Sequence, residues 1–290
     1  MIELDASTVL LQWAVGGMLG CWFTTRHREV GLGYGWLLRG IYVLMAGASV
    51  YIGFASTSPS STSETIRNFA AIAVTGVIAL GLGQSIVRRK VGVSGFVDEH
   101  DRRSQRIAEM TGIDREGAEK EVGEGKEFAP LLDLAPVAFG LIALIAAGVS
   151  DGGNDAVAII RTIVGAAFLG FVSDAMLLGH WYLVQPGLPR RHVNEIVKAF
   201  LFIWPLEVIV MLIPTGMFSV FTGSVDDGWG GQLGWFWVAC AITTGVLAVV
   251  TLKALQERAY SAVMAATGLM YLAILTAFGT DLVARAVLAG

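Results

Sequence analysis

Apolar positions along this chain run in long unbroken stretches, and the charged positions gather between them. A helix that crosses a bilayer needs about 20 mostly apolar residues. Eight stretches reach that length: residues 6–24, 32–55, 68–87, 130–149, 155–184, 192–221, 232–252 and 259–288. None is interrupted by a polar loop, and lipid cannot satisfy a free backbone N–H or C=O, so each is expected to be an α-helix. The fifth, sixth and eighth are long enough to tilt or to run past the hydrocarbon edge. The expected fold is all-α: a polytopic integral membrane protein, a bundle of eight transmembrane helices forming one domain over residues 1–290.

Charge sets the expected orientation. Arg26 and Arg28 follow the first stretch, and Arg88, Arg89 and Lys90 follow the third. Arg190 and Arg191 separate the fifth from the sixth, and Lys253 and Arg258 the seventh from the eighth. Sixteen of the 20 Lys and Arg residues fall on these connections and the adjoining helix ends. The connections 56–65, 150–155 and 222–231 carry none. Basic loops stay in the cytoplasm, which places both termini outside and the loop 88–129 inside a plasma membrane. An acidic start, with Glu3 and Asp5, suits a translocated N-terminus rather than a cleavable signal. The loop holds nine Lys or Arg and ten Asp or Glu, with short helices expected over 98–110 and 114–122. It reads as a solvated connector.

Composition agrees: 54% of residues are hydrophobic and 15% charged. Soluble proteins carry about 25% charged residues, so a soluble enzyme and a nucleic-acid binder are both excluded. Net charge, −4, adds nothing, because position matters more than sum. Cys21 and Cys240 lie inside apolar stretches without a neighbour at metal-ligand spacing. No Walker A, HExxH, GxSxG or EF-hand pattern occurs. Asp151–Asp155 lacks the distal Glu of a calcium loop. No metal site is expected.

Candidate chemistry lies in ionisable residues inside the apolar stretches, which usually face the bundle interior. At about 1.5 Å per residue, Arg39 lies roughly 10 Å and Asp174 roughly 15 Å in from the cytoplasmic edge. Opposite charge at overlapping depth predicts an ion pair between them. Asp133 and Glu195 lie within a turn of that edge. Glu207 reaches the midplane, flanked by Pro205 and Pro214. Arg161, roughly 9 Å from the outer edge, is expected to snorkel outward. Ala166, Gly170, Asp174, Leu177 and Trp181 share one helix face, and Gly16 and Gly20 form a GxxxG pair suited to close helix approach. Three consecutive residues, His180, Trp181 and Tyr182, sit at the cytoplasmic interface, with His27 the nearest candidate second imidazole. They could border a quinone head, or His180 could ligate a heme, although neighbours on a helix point about 100° apart.

Three functions follow. The first is a membrane subunit of an electron-transfer complex, partnered by other subunits, with a quinone or heme site near the cytoplasmic face at His27, His180, Trp181 and Tyr182. The second is a transporter or ion-conducting protein using Glu207 and Asp174. The third is a scaffolding subunit without a cofactor.

Overall fold

A computed structural model describes residues 5–55, 61–91, 127–150, 154–185, 188–213, 216–257 and 259–288. The short helices expected over 98–110 and 114–122 lie outside these residues. Among the described residues every regular element is helical. The α-helices are α1 (Ala6–Thr25), α2 (Leu32–Ala55), α3 (Thr62–Val87), α4 (Leu134–Ser150), α5 (Asp155–Val184), α6 (Arg191–Leu212), α7 (Phe218–Phe221), α8 (Gln232–Ala254) and α9 (Tyr260–Leu288). Short 3-10 turns at Arg88–Lys90 and Pro130–Asp133 flank the long loop. Among the described residues, seven segments are long and apolar enough to cross a membrane. The four-residue α7 is too short, and the one long helix outside this set is α6, which begins Arg191-His192-Val193-Asn194-Glu195.

Two boundaries differ from expectation by six residues or more, each for a local reason. Helix α3 starts six residues before residue 68, because Ser61 caps it: its Oγ accepts the Glu64 N–H at 3.2 Å. A Ser or Thr followed three residues later by Glu is a helix-start signature even in a polar stretch. The sixth stretch does not continue as one helix to Phe221. Helix α6 stops at Leu212, and Ile213 is extended at φ −96°, ψ 143°. The residue before a proline is pushed out of the helical region, and Pro214 follows. Pro205, by contrast, is carried inside α6.

Helix α1 is the axis of the bundle, packed against α2, α4 and α5. Leu11, Ala14, Val15, Met18 and Cys21 along it are buried. Helix α5 in turn packs on α6 and α9, and α8 lies along α9. Outward faces carry Leu44, Tyr51, Leu80, Phe202 and Trp235, all more than two-thirds exposed. Buried positions include Gln12, Arg39, Asp133, Asp174, Glu207 and Asp281. Large apolar side chains outside and ionisable ones inside make up the pattern of a helical membrane protein.

At the α1–α5 contact backbone meets backbone. A Cβ added to Gly16 would collide with the carbonyl of Ala166, and one added to Gly170 would collide with the backbone of Gly16 and Gly17. Small residues at this spacing let two helix backbones touch, which is how helices associate where lipid removes the hydrophobic drive.

The helices alternate in direction, so one end of the bundle collects the basic connections. There Arg26 pairs with Glu195 at 2.6 Å, Arg28 with Glu127 at 3.3 Å, and Arg191 with Glu29. The Gln185 side chain ties the α1–α2 turn to the end of α5, accepting from Gly31 N–H at 2.9 Å and donating to Glu29 O at 3.0 Å. At the opposite end Arg67 binds Asp5 and Thr8, and Asn68 donates to Gly53 O at 2.9 Å. Asp227 gathers the free N–H groups before α8: Gly231 at 2.8 Å, Trp229 at 2.9 Å and Leu233 at 3.0 Å.

Candidate functional site

Two clusters of buried ionisable groups lie at different heights along α1 and α5. The first occupies the basic half. Arg39 of α2 does not pair with Asp174. Its Nε and NH2 donate to the two oxygens of Asp133, at 2.7 and 2.6 Å, a bidentate pair in which both side chains are 2% exposed. Depth alone suggested Asp174, but depth does not fix direction around a helix axis. The 3-10 turn Pro130–Asp133 packs against α1, and there Asp133 receives the Arg39 guanidinium that α2 extends to it. The Phe128 ring lies 4.3 Å from the Arg39 guanidinium carbon.

Asp174 instead faces α1 and α2. Tyr42 donates its hydroxyl to Asp174 Oδ1, and Tyr34 reaches the Asp174 carbonyl at 3.4 Å. The second carboxylate oxygen, Oδ2, is buried without a hydrogen-bond partner. It lies where a Cβ on Gly20 would stand, so the GxxxG of α1 makes room for a carboxylate as well as for a helix. One residue before, Ser173 accepts from Trp13 Nε1 at 2.8 Å.

The second cluster occupies the opposite half. Glu207 of α6 is fully buried, and no N–H or hydroxyl group donates to either of its carboxylate oxygens. It faces Asp281 and Arg285 of α9, with Arg161 of α5 in its field. Asp281 pairs with Arg285 at 2.8 Å, one helical turn apart. Arg285 also donates to Arg161 O at 2.8 Å. Gly165 of α5 has no side chain because a Cβ there would stand 2.5 Å from Asp281 Oδ1 and 2.6 Å from Arg285 NH2. Gln12 of α1 closes the site, donating to Thr162 O at 2.9 Å. Arg161 does not snorkel free. It donates to Val210 O at 2.9 Å and Ile213 O at 2.6 Å, satisfying carbonyls at the end of α6. Those carbonyls carry the negative end of the helix dipole, which a cation stabilises.

Asp281, Arg285 and Gln12 were missed in the reading of the sequence. Asp281 and Arg285 stand four apart in the last apolar stretch, a readable helical ion-pair spacing.

The residues expected to border a quinone or heme do not converge. His180 is exposed on the bundle surface. Trp181 turns toward α2, its ring 5.9 Å from that of Tyr34, and donates to Gln185 at 3.0 Å. Tyr182 is buried, with its hydroxyl on Pro189 O at 2.7 Å. His27 belongs to a different group: its ring lies 5.6 Å from that of His192, and its Nε2 lies 3.2 Å from Glu195. His192 Nε2 lies 2.7 Å from Glu29. With those Nε2 atoms on carboxylates, the two imidazoles serve the ion-pair network of the basic end and do not present a coaxial pair to a heme iron. Among the described residues, no group of three or more His, Cys, Asp or Glu is placed to hold a metal ion.

Comparisons with protein-family models, with curated proteins and with solved structures found no match.

Proposed function

We propose that this protein transports protons or small cations across a membrane, with Asp174 and the Glu207–Asp281 pair as the carrying groups. One observation supports it above the others. Buried carboxylate oxygens that receive no hydrogen bond from an N–H or hydroxyl group lie on both sides of the Gly16–Gly170 contact, Asp174 Oδ2 on one side and the Glu207 oxygens, set against the Asp281 carboxyl, on the other. Asp174 and Gly165 are nine residues apart, so the two clusters are roughly 13 Å apart along α5. An unpaired acid inside a bilayer costs several kcal/mol, a cost that makes sense where the acid binds a proton or an ion in turn. A scaffold would have no use for it. The electron-transfer reading loses the convergence that motivated it, because His180, Trp181, Tyr182 and His27 serve separate contacts.

Eight crossings fit this reading. Helix α6 runs from Arg191 at the basic end to carbonyls held by Arg161 at the other, and the charge it carries is turned into the bundle. The basic end faces the cytoplasm of a plasma-membrane protein, and both termini lie outside, following the distribution of Lys and Arg. The surrounding bilayer is the only partner the reading requires.

The test is flux. The purified protein is reconstituted into liposomes containing a pH-sensitive dye, and a potential is imposed with potassium and valinomycin. The reading expects dye-reported proton movement or, in liposomes without valinomycin, uptake of sodium or potassium, above protein-free liposomes. No flux of protons or of either cation would overturn it.

A further inference from the structure

Glu207 and Asp281 bring two carboxyls together in the interior, with too few donors for their oxygens. Both residues are 0% exposed. Their carboxyls meet within hydrogen-bonding range, one from α6 and one from α9. No N–H or hydroxyl group donates to either Glu207 oxygen or to Asp281 Oδ2.

The cations around the pair are engaged elsewhere. Arg285 Nε pairs with Asp281 Oδ1 at 2.8 Å, and its NH2 donates to Arg161 O at 2.8 Å. Arg161 gives Nε and NH2 to the carbonyls of Val210 and Ile213. The other helices packed on α6 add no charge here. Helix α1 carries no charged residue, and the only one on α8, Lys253, lies in its last turn at the basic end. The other charged residues of α6, Arg191, His192, Glu195 and Lys198, lie in its first half. Asp281 therefore has a cation bonded to it, and Glu207 has none.

Two occupants could satisfy the unfilled oxygens, a metal cation and a proton. A hard cation collects oxygens on several sides, about six or more for magnesium or calcium. Here the Arg285 guanidinium stands on one side of Asp281, where it repels a second cation. The α5 backbone stands on another: a Cβ at Gly165 would lie 2.5 Å from Asp281 Oδ1, 2.6 Å from Arg285 NH2 and 3.1 Å from Gln12 Nε2. Gln12 Nε2 is a donor, so it offers nothing to a cation. A proton needs no such shell. Two carboxylates in contact repel each other until one takes up a proton, and its O–H then donates to the other.

We propose that Glu207 and Asp281 hold one shared proton and no alkali cation, and that the ion carried through this half of the bundle is the proton. That the proton is what moves rests on the flux reading; that the pair holds it does not.

The experiment records infrared spectra of the purified protein in lipid at neutral pH, with choline, sodium or potassium as the only added salt. A protonated carboxyl gives a carbonyl-stretch band that shifts on exchange into D2O. Glu207→Gln keeps the side-chain shape, and its amide can donate to Asp281 as the acid does, so the fold should stand. The salt comparison needs no variant. The expected result is a band of equal intensity in all three salts that loses intensity in Glu207→Gln. No band in wild type overturns the proposal, as does a band that disappears in sodium or potassium, or one unaltered in folded Glu207→Gln. Flux is measured in parallel, protons with valinomycin and cations without it. Proton movement with no uptake of sodium or potassium is expected. Uptake of either cation overturns the proposal and leaves the flux reading in place. Liposomes that pass no ion overturn the flux reading, while the shared proton stands or falls on the infrared band.

Discussion

Gly16 on α1 and Gly170 on α5 meet backbone to backbone, and neither position has room for a side chain. This contact holds the two central helices together and separates the Asp174 cluster from the Glu207–Asp281 cluster. Gly170→Val should force the helices apart. Overpacking a tight contact costs about 1–3 kcal/mol, so thermal unfolding in detergent should shift down markedly. Gly81→Ala on α3, where nothing lies within 4 Å, should leave the transition unchanged or slightly raised.

Arg39 and Asp133 form a buried bidentate pair. Removing one partner of such a pair costs about 3–5 kcal/mol, because the other charge is left uncompensated. Arg39→Ala and Asp133→Ala should each destabilise strongly, and the double variant should recover part of the loss. A double-mutant cycle isolates the coupling. It should be larger for Arg39 with Asp133 than for Arg39 with Asp174, and the reverse order would contradict the assignment.

Asp227 lies between α7 and α8, outside the membrane-crossing segments. Hydrogen bonds from the backbone N–H groups of Gly231, Trp229 and Leu233 hold its carboxyl below its ordinary value, against the opposing effect of burial. A depressed folded value means that its stabilising contribution is complete above the unfolded value, about 3.9. The contribution is lost as pH falls through the folded value. The difference in Tm between wild type and Asp227→Asn should therefore be largest above pH ~4 and should shrink on acidification. A difference that grows on acidification would reverse the sign.

His180 is exposed, while Tyr182 is buried with its hydroxyl on Pro189 O. His180→Ala should change stability by no more than about 0.5 kcal/mol. Tyr182→Phe should cost about 1 kcal/mol for the lost hydrogen bond. The purified protein should show no Soret band. A Soret band that disappears in His180→Ala would restore the heme reading.

Orientation can be checked with impermeant thiol reagents, because both native cysteines are buried. A cysteine at Ser61 should label from outside intact cells, and one at Gln256 should label only after permeabilisation. The opposite pattern would invert the topology.

The apolar stretches were legible because lipid leaves the backbone few alternatives. Helices α2 and α5 begin and end where hydropathy alone puts them. Boundaries moved where a side chain intervened, as with Ser61 at the start of α3, or where Pro214 ended α6. The presence of buried charge was equally plain for Arg39, Asp174 and Glu207. Their partners were not, since a sequence gives height along a helix but not which neighbour lies across the gap. Asp133 reaches Arg39 only through the 3-10 turn that precedes α4. The His180–Trp181–Tyr182 run shows the same limit from the other side: three chemically suggestive neighbours in sequence point three ways on a helix.

The most direct measurement is proton and cation flux in liposomes holding equal amounts of wild-type, Asp174→Asn or Glu207→Gln protein, each first shown to unfold cooperatively. Both substitutions keep the side-chain shape and remove the acid. If ions pass between the two carboxylate clusters, each variant should carry less than about a tenth of wild-type flux, a drop corresponding to about 1.4 kcal/mol in barrier height. Wild-type flux retained in both folded variants would contradict a route through Asp174 and Glu207.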